Sequence, residues 1–180
     1  TSGNFGSSIN LTVTGGTGTG STLTNTFANG TATGCSISGT SPNFTLSADT
    51  AGTCIITITK AGDSNYDPAT DIATITFTKR PITIKSSDAS KTYGASDPSL
   101  NSYSVTSGSV YSTDTFTVTG SRVSGNNAGT YAITPSINTS TPSTFSDSYT
   151  VTYDTGTFTI NQASQSITLS DTTVIYGNTL

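Results

Sequence analysis

The stretch Ala51-Gly52-Thr53-Cys54-Ile55-Ile56-Thr57-Ile58-Thr59 alternates apolar and hydroxyl side chains, and its opening returns 77 positions later as Ala128-Gly129-Thr130-Tyr131-Ala132-Ile133. A period of two over six or more residues, rich in β-branched side chains, reads as a half-buried strand. Working outward, the same alternation marks Leu11-Val13, Ile72-Thr78, Phe116-Thr119 and Tyr149-Tyr153. Gly15-Gly16, Asn29-Gly30, Ser107-Gly108, Gly125-Asn126-Asn127 and Thr155-Gly156 fall between strands, where turns ask for positive φ. Short strands with a turn signal every 8 to 12 residues indicate a β-sandwich.

Composition agrees. Among 180 residues there are 41 Thr and 29 Ser, while His, Met, Trp and Glu are absent. Good helix formers are scarce and β-branched residues abound, so the expected fold class is all-β. The 8 Tyr, 7 Phe and the regular alternation supply the buried surface that a disordered chain lacks. Without His there is no His general base, no Ser-His or Cys-His dyad and no His metal ligand, which argues against an enzyme. A net charge of -4 offers no basic patch for nucleic acid, and no apolar run is long enough to insert in a membrane.

Further short patterns recur in the same order. Thr74-Ile75-Thr76-Phe77 returns as Thr157-Phe158-Thr159-Ile160, Asn65-Tyr66 as Ser148-Tyr149, and Ile82-Thr83-Ile84 as Ile167-Thr168-Leu169. An aromatic-Gly pair occurs three times, at Phe5-Gly6, Tyr93-Gly94 and Tyr176-Gly177. Ordered recurrence at one spacing is the signature of repeated modules. The phase gives a first unit at 1–80, a second at 81–162, and the first strand of a following repeat at 163–180. The first unit lacks the strand equivalent to Ile82-Ile84. Two arrangements account for this: a continuous tandem array, or a protomer whose tail completes the first unit of a neighbour by strand addition.

The second unit carries Pro81-Ile82-Thr83-Ile84, Ser90-Lys91-Thr92-Tyr93-Gly94, Asp97-Pro98-Ser99-Leu100, Ala128-Gly129-Thr130-Tyr131 and Gly156-Thr157-Phe158-Thr159-Ile160. Over 81–162 this resembles the MBG ("mostly beta, glycine-rich") domain of bacterial surface repeat proteins. The first unit, with Gly30-Thr31-Ala32-Thr33-Gly34-Cys35, Ala51-Gly52-Thr53-Cys54 and Ala61-Gly62-Asp63-Ser64-Asn65-Tyr66, is similar to the Cys-containing Ig-like repeats of such proteins. The resemblance implies extracellular, cell-surface modules with no catalytic residues and no cofactor. Their partners would be neighbouring repeats or further copies in a homopolymer. Three roles follow as expectations: a spacer in an adhesin, stalk or filament; an adhesive module binding a glycan or protein; or a fibre subunit assembled by terminal strand exchange.

Few residues invite chemistry. Cys35 and Cys54, on or beside two strands in a context suited to an oxidising compartment, are expected to form a disulfide, with a pair of buried free thiols as the rival. Asp63, Asp67 and Asp71 place carboxylates at spacings like the start of a calcium loop. Pro68 and Thr74, however, stand where an EF-hand needs Gly and Glu. The competing reading is a turn in which Asp and Asn bond their own backbone and Tyr66 packs under the sheet. Gly15–Gly20 lacks the Gly-Lys-Ser/Thr and the helix of a phosphate loop, so a strand-joining loop suffices. Tyr103 and Tyr111 could stack on sugar rings.

Overall fold

A computed structural model describes the whole chain except residues 17, 19–22, 113, 144, 172–175 and 178–180. The first unit contains β1 (Ser2–Asn4), β2 (Ile9–Thr12), β3 (Leu23–Asn29), β4 (Ser36–Thr40), β5 (Asn43–Ser47), β6 (Gly52–Lys60) and β7 (Ala69–Thr78). The second contains β8 (Arg80–Ser86), β9 (Ala89–Thr92), β10 (Tyr103–Ser107), β11 (Thr115–Arg122), β12 (Gly129–Thr141), the single turn α1 (Phe145–Ser148), β13 (Tyr149–Asp154) and β14 (Gly156–Asn161). The chain is all-β, in two sandwiches.

In each sandwich the four-stranded sheet has one plan. The order is β1-β7-β6-β3 in the first and β9-β14-β12-β11 in the second, with the short opening strand parallel to the closing one. The register repeats too. Gly52 faces Phe77 and Cys54 faces Ile75, as Gly129 faces Ile160 and Tyr131 faces Phe158. The recurring stretches therefore occupy equivalent sites, with Ile56, Ile75 and Phe77 buried in one sheet and Ile133, Phe158 and Ile160 in the other. Alternation puts these side chains inward and leaves Thr outward.

The three-stranded sheets differ. In the second sandwich β8 lies between antiparallel β10 and parallel β13. No strand of the first corresponds to β8. Instead β5 lies beside β2, with β4 as its hairpin partner. One side of β2 is therefore paired from within by β5, and β2 and β4 are the edges of this sheet among the described residues. Phe44 and Leu46 of β5 supply the buried contacts that Ile82 and Ile84 supply from β8.

Residues 162–171 form no strand, and Ile167 and Leu169 are each 90% exposed. Ile82 and Ile84, whose pattern they repeat, are buried because β10 and β13 flank them. Those flanking strands come from later in the same module, so the repeated pattern does not pair by itself. Of the expected turn glycines, Gly15, Gly16, Gly108 and Gly125 take positive φ. Gly156 serves another purpose: a Cβ there would come within 2.5 Å of the Ser86 carbonyl oxygen, so its absence lets β14 approach the end of β8. The Gly15–Gly20 loop lies partly outside the described residues.

The core does not divide at the module boundary. One contiguous cluster holds Phe5, Ile9, Leu46, Cys54, Ile56, Ile75 and Phe77 together with Ile82, Ile84, Val118, Phe145 and Tyr149. Among the described residues, Ile133, Phe158 and Ile160 form a separate cluster in the second sandwich. Burial is thus shared across the boundary between the two units.

Candidate functional site

The place where the sandwiches meet is the most elaborated part of the molecule. After β1 the chain turns at Phe5-Gly6, with Ser7 N–H donating to the Asn4 carbonyl and Phe5 N–H to that of Thr78. Gly6 takes φ 70°, and a Cβ on it would overlap the Tyr111 ring. Glycine therefore satisfies both the left-handed turn and the close approach of the next module. Phe5 is fully buried, and its ring meets Tyr149 edge-on at 5.1 Å and Tyr111 at 5.7 Å. Tyr149 stacks on Phe145 at 3.9 Å, and Phe145 meets Phe116 at a tilt at 5.3 Å. An aromatic series thus runs from the second core into the first.

Arg80, the first residue of β8, lies against this series. Its guanidinium sits 5.5 Å from the Phe5 ring and 5.6 Å from the Tyr111 ring. Its nitrogens donate to the Phe5 carbonyl at 3.0 Å and the Ser109 hydroxyl at 3.1 Å. A guanidinium is planar and weakly hydrated, so it stacks on aromatic faces while its edge donates. Ser148 Oγ accepts from Ala51 N–H at 3.3 Å, and Lys79 Nζ donates to the Ser146 carbonyl at 2.8 Å. The Tyr149 hydroxyl donates to Asp114 Oδ2 at 2.7 Å and accepts from Tyr111 N–H. Burial, reinforced by the Asp114 carboxylate, pushes that hydroxyl up to about 12, so it stays a neutral donor. Beside the joint is a cleft of about 410 Å³ lined by Thr33, Asp49, Thr50, Tyr111, Ser112 and Asp114.

Each module carries its own clamp. Cys35 and Cys54 form a disulfide with a Cα–Cα distance of 6.0 Å. Cys54 lies in β6 and Cys35 at the entry to β4, so the bridge ties the two sheets together. The second module has Tyr131 in the place of Cys54. There Arg122 lies over Tyr131 and Phe158 and donates to Asp97, while Lys91 pairs with the other oxygen of the same carboxylate. Hydrogen bonds from Arg122 and Lys91 hold the Asp97 carboxyl down at about 2, below its ordinary 3.8. Because the folded value is depressed, the stabilisation is present above about 3.8 and is lost as pH falls from there toward about 2. Melting temperature against pH should therefore fall less steeply in that window for Asp97→Asn than for the parent chain. Parallel curves would show that the trio carries no such linkage.

The remaining sequence candidates are not gathered. Asp63 Oδ1 accepts from the N–H groups of Asn65 and Tyr66, and Asp71 Oδ1 from that of Ile72. Asp63, Asp67 and Asp71 form no cluster able to hold a metal ion among the described residues. Tyr66 is 53% exposed rather than packed under the sheet, because the segment joining β6 to β7 is a loop where the second module has β13. Tyr103 donates its hydroxyl to the Phe116 carbonyl and Tyr111 covers Phe5, so both serve packing rather than a sugar surface. Arg80 is a functional residue absent from the candidates read from the sequence, because the rings it meets come from other segments of the chain.

Taken together these features define a tandem pair of β-sandwich modules with a constructed joint and no catalytic constellation among the described residues. Residues 82–159 match the family model of the MBG domain (YGX type), a pattern present here as Tyr93-Gly94-Ala95. MBG domains are structural modules of bacterial surface proteins. No curated protein matches the chain.

Proposed function

We propose that this chain is a spacer segment of an extracellular bacterial surface protein, and that its task is to hold neighbouring modules at one fixed angle along a stalk or filament. The observation that carries this is the joint: Phe5 of the first sandwich is fully buried by Tyr111, Tyr149 and Arg80 of the second. A linker that only tethered would leave such residues wet, and modules would then move independently. Stability in an array of this kind is the sum of each module and its neighbour interfaces. Hydroxyl-rich strand faces with few charges keep the surface hydrated, and nothing in this role asks for catalysis.

Residual dipolar couplings test the reading. The two sandwiches of the parent chain should share one alignment tensor, whereas independent tensors would overturn a fixed-angle spacer. A second reading, an adhesive module, draws on the hydroxyl- and carboxylate-lined cleft beside Tyr111. Glycan-array and cell-binding assays separate the two, because a spacer binds neither.

A further inference from the structure

The aromatic-Gly turn of the joint recurs at the far end of the second sandwich, where no described residue covers it as Tyr111 covers Gly6. Tyr93 N–H donates to the Asn161 carbonyl and Ala95 N–H to that of Thr92, reproducing the bonds of Phe5 and Ser7. Gly94 takes φ 87° and Gly177 takes φ 96°, as Gly6 takes 70°. Yet Tyr93 is 54% exposed where Phe5 is fully buried, and a Cβ on Gly94 would meet nothing within 4 Å where one on Gly6 would overlap Tyr111.

The other residues of the joint have counterparts at the same end. By the local matches, Ala51 corresponds to Ala128, and Arg80, two residues before Ile82, to Gln165, two before Ile167. In the joint Ala51 receives Ser148, and Arg80 lies on Phe5. Tyr93, Ala128 and Gln165 line a single open cleft of about 770 Å³, together with Asn127, Gln162 and Ala163. The lower half of a second joint is therefore assembled. Among the described residues that line the cleft there is no counterpart of Tyr111 or Tyr149.

We propose that this cleft is a docking socket for a third sandwich of MBG type joined through residues 163–166, whose counterparts of Tyr111 and Tyr149 close over Tyr93-Gly94. The occupant follows from two observations. Ile167 and Leu169 repeat the buried Ile82 and Ile84 but stand exposed, so the central strand of such a sandwich is placed beside the socket. A second copy of this chain could not serve, because its own Tyr111 and Tyr149 are already covered by its own Phe5. Gln165 in the place of Arg80 makes the second joint neutral, with an amide rather than a guanidinium against the ring. This inference rests on the spacer reading and states which residues propagate the angle.

The test is the chain in which residues 165–180 are replaced by a second copy of residues 80–161. A companion is the full chain extended after Leu180 by a second copy of residues 98–161, which retains Gln165. Tyrosine nitration, mapped by mass spectrometry, reads Tyr93 directly. Its reactivity should drop by about tenfold or more in the extended chains relative to the parent, as expected when an exposed group becomes part of a protected unit. Amide exchange across the added module reports whether it has folded. An added module that is folded while Tyr93 stays as reactive as in the parent overturns the socket, as does failure of the added module to fold in both chains. Dipolar couplings on the first two sandwiches read the spacer proposal independently, so loss of the socket with one shared tensor leaves that proposal standing.

Discussion

Replacing both cysteines, Cys35→Ala with Cys54→Ala, is expected to lower stability of the first sandwich by about 3 kcal/mol, the loop-entropy value for a bridge of this span. The span is 19 residues, and the bridge closes it between two different sheets. That topology matters. Strand ladders hold β4 to β5 and β6 to its neighbours without crossing between sheets; side-chain packing, the Cys35 N–H bond to Asn29 Oδ1 of β3 and this disulfide cross between them. Cys54 is fully buried, so its truncation to Ala also removes contacts with Ile56 and Ile75 nearby in the core. Small sandwiches have net stabilities of only a few kcal/mol, so the loss is a large fraction of the margin.

Urea titration with and without reductant measures the effect. The parent should show no alkylatable thiol before reduction and two after it. Amide protection should fall in β4 and β6 while persisting in β12 and β14, where Arg122, Asp97 and Lys91 form the clamp instead. A reduced protein with an unshifted urea midpoint would mean that packing alone holds the sheets together.

Some of this was legible from the chain alone. Period-two alternation around Cys54 and Tyr131 identified equivalent strands because burial on one face dictates it locally, and the ladder register follows from the same residues. The missing counterpart of β8 was legible for the same reason. Its replacement by the β4–β5 hairpin was not, because Ser36-Ile37 and Phe44-Leu46 belong to the first unit alone and so leave no trace in a comparison of repeats. The exposure of Ile167 and Leu169 was hidden as well: an apolar strand pattern states what a segment can bury, not whether its partners are present.

The joint was the least legible feature. Phe5-Gly6 stood out as a repeat marker, but its covering residues, Tyr111 and Tyr149, lie more than a hundred positions away, and Tyr66, the counterpart of Tyr149, is exposed in a loop. Arg80 belongs to none of the motifs read from the sequence. Its role depends on two rings brought together by different strands, and sequence spacing carries no information on that.

The largest single-residue effect should come from Phe5. Phe5→Ala empties a fully buried site, for which core truncations of this size cost about 3 to 5 kcal/mol. Part of that loss falls within the first sandwich, where Phe5 packs with its own core. The rest falls on the joint: Tyr149 and Tyr111 lose their edge-on partner, and Arg80 loses one of its two rings. Unfolding should therefore change in kind as well as midpoint. The parent, with one core cluster spanning both sandwiches, is expected to melt in a single calorimetric transition, and the variant in two. Tyr93→Ala is the matched control, because it makes the same kind of truncation in the equivalent turn of the second sandwich. With Tyr93 54% exposed, it should stay within about 0.5 kcal/mol of the parent, as surface substitutions do. If the two variants proved equally mild, the burial of Phe5 would not be coupling the modules. If both split the transition, the aromatic-Gly turn would matter through its own backbone rather than through what covers it.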